Sequence, residues 1–264
     1  MNTTIVTAFF DIGRGNWAHK RNLPPYLPRS TDVYFERFSH MAKLENQMII
    51  YTTADMVDRV MACRNKKGRN TTIVTVDFYN QYSNELEKIR EIQNNTLYKT
   101  KINPLVMTSP EYWSPEYVLV NMLKSVFVND AIGKGLVSND LIAWVDFGFC
   151  RTKEQAGINV DFMSSFDPDK IHVFSIREYD NKPIIDIIAN NVVYLIGSAI
   201  LAGVDRWRNL KELVLESADY LAKELLVDDD QTLLLLSYLR CPELFELHTI
   251  KESDWFVLFT EFNK

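Results

Sequence analysis

Cysteine is almost missing from this chain of 264 residues: Cys63, Cys150 and Cys241 are odd in number, far apart and form no CxxC pair. That argues against a disulfide-built scaffold and against a structural zinc site made of thiolates. Long apolar runs are missing too. The longest, residues 192–204 and 233–236, fall short of the ~20 residues that cross a bilayer. The first ten residues lack the basic start and extended apolar stretch of a secretory leader. The expected location is therefore cytoplasmic, or peripheral at the inner membrane. No strongly basic amphipathic helix is present, so any membrane-surface contact is expected to be transient. Cationic excess is absent as well: 29 Lys and Arg against 35 Asp and Glu leave a formal net charge of −6. A general nucleic-acid coat is excluded on that ground, although a local cationic cluster remains compatible with phosphate binding. There is no internal repeat, no low-complexity segment, no nucleophile elbow and no His or Cys pair at a catalytic spacing. Histidines 19, 40 and 172 show no ligand spacing.

What is present is a large apolar share, 47% hydrophobic and 12% aromatic, enough to bury a sizeable core. Residues 4–10 form a β-branched and aromatic run that predicts a strand, and residues 11–28, with Gly13, Gly15, Pro24, Pro25 and Pro28, predict a long functional loop. Ser30 or Thr31 caps a helix burying Tyr34, Phe38, Met41 and Ala42. Strands are expected at 47–52, 71–76 and 142–145, with helices at 53–61, 79–95 and 115–132 between them. Four strands alternating with helices indicate a parallel, doubly wound sheet. In such sheets ligands sit beyond the carboxyl ends of the strands, which points to 9–14, 51–53, Asp77 and 146–148. After Arg151 the pattern changes. Residues 171–176, 183–188 and 192–200 read as strands with short separations, hence antiparallel additions, followed by a helical period from Trp207 to Leu225. A single continuous domain over 1–264 is expected.

Three constellations carry chemistry. The first is Trp144-Val145-Asp146-Phe147-Gly148-Phe149-Cys150-Arg151. An acid directly after an apolar strand sits in the ligand crevice, where a Mg²⁺- or Mn²⁺-bound diphosphate would partner it, and Gly148 permits close backbone approach. A capping Asp and a turn Gly explain the same residues without a ligand. Asp146-Phe147-Gly148 also spells a kinase motif, but the glycine-rich loop, the strand lysine and the HRD that accompany it are absent. The second is Asp228-Asp229-Asp230-Gln231 ahead of an apolar helix. Capping accounts for Asp228 and Asp229, leaving Asp230 as a candidate base or sugar ligand. The third is Gly13-Arg14-Gly15, where Arg14 can grip a phosphate with two bonds. Lys124, on the helix before the Asp146 strand, is a second candidate phosphate contact, and His248 a candidate metal ligand from the far side of the cleft.

These blocks are familiar. The opening 4–14, Ser109-Pro110-Glu111-Tyr112-Trp113, the 144–151 block, Asp229-Asp230-Gln231 and Asp254-Trp255-Phe256 resemble the HtrL/YibB family of bacterial proteins over nearly the whole chain. That family is associated with lipopolysaccharide, lipooligosaccharide or capsule loci, which implies surface-glycan assembly. At a coarser level the chain resembles GT-A (Rossmann-like) glycosyltransferases, which implies 1–151 as a nucleotide-binding half and 152–264 as an acceptor-side half. The resemblance implies that Thr7, Ala8 and Phe9 lie against base and ribose, and that Asp146 is the first Asp of an Asp-x-Asp. It also implies that Gly197 and Ser198 lie in the strand flanking donor sugar and acceptor, and that Asp229, Asp230 and Gln231 form the acidic stretch after it. The second Asp of Asp-x-Asp is Gly148 here. That departure puts metal dependence in question, with Arg14, Lys124 or Arg151 as alternative cations for a leaving diphosphate. The expected activity is sugar transfer from a nucleotide-diphosphate donor, with a UDP-sugar the first choice, to a glycan or glycolipid hydroxyl. A nucleotide-sugar hydrolase or nucleotidyltransferase, and a non-catalytic nucleotide-sugar binder, are the alternatives. Donor, acceptor, stereochemistry and oligomeric state are not encoded in any motif.

Overall fold

A computed structural model describes residues 1–17, 23–64, 69–159 and 161–264, so His19 and part of the 11–28 loop lie outside the described residues. Seven strands form one sheet: β1 (Thr3–Phe9), β2 (Met48–Thr52), β3 (Thr71–Thr75), β4 (Leu141–Val145), β5 (Ile171–Ser175), β6 (Leu195–Gly203) and β7 (Phe245–Thr249). Their order is β3-β2-β1-β4-β6-β5-β7. β1 to β4 pair in parallel, β6 runs antiparallel to both β4 and β5, and β7 is parallel to β5. The mainly parallel α/β class with an antiparallel addition in the C-terminal half is therefore the one observed.

Side chains alternate across a strand, and β1 shows what that does. Val6 and Ala8 enter one apolar cluster while Ile5 and Phe9 enter the other. The first face is covered by α4 (Ser83–Asn94), α5 (Thr96–Lys101), α6 (Pro115–Met122), α7 (Lys124–Gly133), α8 (Ile184–Asn190), α9 (Val204–Lys223) and α10 (Asp230–Arg240). The second face is covered by α1 (Thr31–Met41), α2 (Val57–Arg64) and α11 (Leu258–Glu261), while the short α3 (Phe78–Gln81) follows β3. Burial on both faces is why β1, β2 and β4 read as continuous apolar runs. Among the described residues no helix is long and apolar enough to cross a membrane.

Three expectations change. Residues 183–188 form a helix, α8, not a strand. Ile184, Ile187 and Ile188 have helical spacing, Pro183 holds the N-cap, and Asn191 ends the helix in the left-handed region at φ 51°; in so short an apolar run the two periods cannot be told apart. The long helix over 115–132 divides at Leu123 into α6 and α7, which makes Lys124 the first residue of a new helix. The strand expected at 192–200 is β6, displaced to Leu195–Gly203, and β7 is an added edge strand.

Arg64 ties the second face together. Its guanidinium, 2% exposed, donates to the carbonyls of Ala42, Leu44, Asn46 and Asn70 and to Thr71 Oγ1. Burial draws its pKa down to about 10. Arg64→Met would leave those buried carbonyls unpaired. It is expected to cost about 2–4 kcal/mol, read as a lower urea midpoint at unchanged slope.

Candidate active site

After β1 the chain proceeds outward to β2 and β3, whereas β4 returns to the other flank of β1. The carboxyl ends of β1 and β4 thus flank a topological switch point, where an open α/β sheet leaves a crevice. A cleft of about 440 Å³ opens there. Its lining comes from the segment after β1 (Asp11, Arg14), the turn after β4 (Asp146, Gly148, Arg151), Gly197 and Ser198 of β6, and the start of α10 (Asp229, Asp230, Gln231).

The floor is organised by Lys124, which is 4% exposed. Its ammonium lies 2.8 Å from Asp146 Oδ1, 2.6 Å from Asp230 Oδ2 and 2.9 Å from the Gly197 carbonyl. An ammonium has three donors, and all three are used. Burial pulls the Lys124 pKa down, but Asp146 and Asp230 more than reverse this, so the net shift is upward and the group stays charged. Asp230 is itself raised, because burial and the Asp146 charge outweigh the attraction of Lys124. Trp144 Nε1 also donates to Asp146 Oδ1 at 2.9 Å; neither bond uses Oδ2, and the Asp146 side chain is 38% exposed. Gly197 makes the close approach possible, since a Cβ there would lie 1.6 Å from Asp230 Oδ2. Gly148 performs a similar service for Tyr34, whose ring would be 3.1 Å from an added Cβ. Its close contact is thus with protein.

The opposite wall is cationic. Arg14, Arg29 and Arg151 line the cleft, and the Arg37 stem packs against Gly148. Arg14 donates to the Leu27 carbonyl and to Tyr34 Oη, both at 2.8 Å; Gly13, at φ 73°, makes the turn that delivers it. Arg151 stacks on Phe256 at 4.0 Å. Burial, then the charges of Arg29, Arg37 and Arg14, draw its pKa down to about 10, a sign that like charges are crowded together. Among the described residues none of these four guanidiniums forms an ion pair with a carboxylate.

Behind the floor lies a buried acidic group. Asp229 caps α10 by accepting from Gln231 N at 3.0 Å, as its position suggested, whereas Asp228 lies one residue before the cap and accepts from the Thr232 Oγ1 hydroxyl at 2.6 Å instead of from a helix N–H. Burial pushes Asp228 up to about 6 and Glu111, with the added charge of Asp228, up to about 8. Asp229 is raised by burial and by its two acidic neighbours.

Not every expected residue reaches the cleft. Ala8 and Phe9 border it, but Thr7 is fully buried within β1 and is not among the lining residues. Phe147 borders the cleft while its ring stacks on Phe38 in the core at 4.0 Å. Asp77 follows β3, an edge strand two places from the switch point, where it caps α3 by accepting from Asn80. His248 is on β7, three places from β4, beside His172 and away from the lining. Lys124 is committed to two acids and a carbonyl, so it holds no N–H free for a phosphate. Sequence reasoning gave no site role to Glu111, Arg29, Arg37, Trp255 or Phe256, and assigned Tyr34, which borders the cleft, to the core. Only the Ser109–Trp113 and Asp254–Phe256 family blocks pointed at any of them.

A divalent ion does not fit this donor set. A cation, the Lys124 ammonium, already bridges Asp146 and Asp230, and Gly148 offers no second carboxylate. Among the described residues, the one group of three side chains with ligand spacing is elsewhere, at His172, Glu246 and His248.

Two outcomes follow. Lys124→Met would strand two acids around an uncompensated buried charge and is expected to cost about 3–5 kcal/mol, measured by denaturant unfolding at pH 7. An acid whose folded pKa is raised takes up a proton on folding, so its contribution weakens the fold as pH rises between the two values. For Glu111 the window runs from 4.5 to about 8. Relative to wild type, the melting temperature of Glu111→Gln is therefore expected to climb across that window.

The family described as "Bacterial protein of unknown function (HtrL_YibB)" matches residues 1–264. Protein HtrL of Escherichia coli (strain K12) is 40% identical over 264 residues, covering 98% of this chain and 91% of that protein. Among solved structures, apo mouse xyloside xylosyltransferase 1 is similar at 12% identity and TM-score 0.46, over 94% of this chain and 85% of that one. That likeness is too loose to bear on residues or activity. A match from the first residue to the last, joined to a relative at this identity, places the chain in the HtrL/YibB family.

Proposed function

We propose that the protein transfers a sugar from a nucleotide-diphosphate donor, a UDP-sugar in the first instance, to a hydroxyl of a surface-glycan acceptor. One observation carries this reading: guanidiniums of Arg14, Arg29 and Arg151, backed by Arg37, gather on one wall of a cleft with no carboxylate partner among the described residues. In a chain of net charge −6, such a cluster needs an anion, and a diphosphate has the charge and the several acceptor oxygens to satisfy it. The facing floor, with two carboxylates and one ammonium, repels phosphate and suits sugar hydroxyls. The donor would lie with diphosphate on the arginines and sugar over Asp146, whose Oδ2 accepts from a hydroxyl.

Charge developing on the leaving diphosphate would be stabilised by guanidiniums already in place, the kind of preorganised field that lowers such barriers most. Asp146 is held by Lys124 and Trp144 in one orientation, and Asp230 fixes Lys124 from behind. The acceptor enters from the Ser198 and Gln231 side, next to Trp255 and Phe256. No step runs through a metal ion, because arginine side chains supply the positive charge.

Thermal-shift and calorimetric titration with UDP and UDP-sugars tests the reading. Binding is expected to persist in excess chelator. Arg151→Ala is expected to weaken it about 10- to 100-fold, the worth of one or two charge-assisted bonds. Asp146→Asn is expected to keep UDP binding and lose turnover with a glycan acceptor. Binding that vanishes in chelator, or that ignores Arg151→Ala, overturns the reading.

A further inference from the structure

The sheet edge far from the cleft carries a second cluster of ligand-type side chains. β7 is the terminal strand and pairs in parallel with β5, His172 opposite Glu246 and Phe174 opposite His248. Residues two apart on a strand share a face, so Glu246 and His248 project together and His172 meets both. His172 Nδ1 lies 2.9 Å from His248 Nε2 and 3.7 Å from Glu246 Oε2, and His248 Nε2 lies 3.9 Å from Glu246 Oε1. Ligands about 2.0–2.1 Å from one tetrahedral zinc ion are about 3.3 Å from each other, which falls within that spread.

The surroundings fit the same chemistry. His172 Nε2 is 2.8 Å from the Asp167 carbonyl. A carbonyl can only accept, so Nε2 carries the hydrogen and Nδ1 turns its lone pair to the cluster, the orienting contact that metal-binding histidines use. His172 is 1% exposed; the rings of Phe166, Phe174 and Phe262 pack around His248, and Phe166 also covers His172. Glu246 is half exposed and leaves an entry path. Burial lowers the pKa of both imidazoles, favouring the neutral form that coordinates.

We infer that His172, Glu246 and His248 form a binding site for a borderline divalent transition metal, zinc in the first instance, with water as fourth ligand. The ion staples edge strand β7 to β5. Two imidazoles and one carboxylate are a donor set zinc accepts, while Mg²⁺ and Ca²⁺ prefer oxygen alone. Loading requires His248 to carry its proton on Nδ1 instead of Nε2, since Nε2 otherwise donates to His172. The site shares no lining residue with the cleft, and the inference does not depend on sugar transfer.

The test is titration of the chelator-treated full chain with Zn²⁺ alone, followed by calorimetry and thermal shift. Expected are one ion per chain, a raised melting temperature, and binding weakened at least about tenfold in Glu246→Ala and His248→Ala. Far-UV circular dichroism should match wild type for Glu246→Ala, whose side chain is half in solvent. Co²⁺ should give the visible bands of a tetrahedral site in wild type and lose them in His248→Ala. Asp146→Asn should bind zinc as wild type does. Less than one ion per chain, unchanged affinity in both edge variants, or loss of binding in Asp146→Asn overturns the inference.

Discussion

Lys124 has three N–H donors, and the fold supplies three acceptors from three different places: the end of β4, the first part of β6 and the start of α10. Two of those acceptors are carboxylates, which would repel each other in a weakly polar interior without a cation between them. Because the ammonium is buried, its own desolvation is costly, and only the complete set of partners offsets it. The floor of the cleft therefore forms as a whole. Gly197 belongs to the same constraint, since any side chain there would occupy the space of the Asp230 carboxylate.

Charge in the cleft is sorted by wall. Carboxylates gather with one lysine on the floor, and arginines gather from the segment after β1, the helix that follows it and the end of the turn after β4. The chain as a whole is acidic, so its average field says nothing about this arrangement. Aromatic rings hold the arginines where like charge would spread them: Arg14 lies 5.1 Å from the Trp17 ring centre and Arg151 4.0 Å from that of Phe256. Among the described residues no carboxylate offsets this crowding of like charge.

Sheet topology decides which strand ends take part. Only β1 and β4 flank the switch point, so the residues after them reach the cleft, while Asp77, after β3, serves a local cap. The same topology puts β7 at the far edge and carries His248 away from Asp146. Its partner His172, which has no ligand spacing along the chain, becomes its neighbour through the β5–β7 pairing.

Local pattern alone determined much of the fold. The strands β1 to β4, the helices α1 and α2 between the first three of them and the capping role of Asp229 follow from residue periodicity and side-chain chemistry within a few positions. Asp146, Arg14 and Asp230, which meet in the cleft, could be picked out as candidates because strand ends, glycine turns and helix starts are local features. Where the local signal was balanced, as in the isoleucine run of α8, packing against the sheet chose the helix. Lys124 reads in sequence as an ordinary helix-face lysine, and Arg29 and Arg37 have no motif at all. Their partners lie tens of residues away, and charges act through space, not along the chain. Only the tertiary structure could turn a lysine into a bridge between two acids and four scattered arginines into one wall.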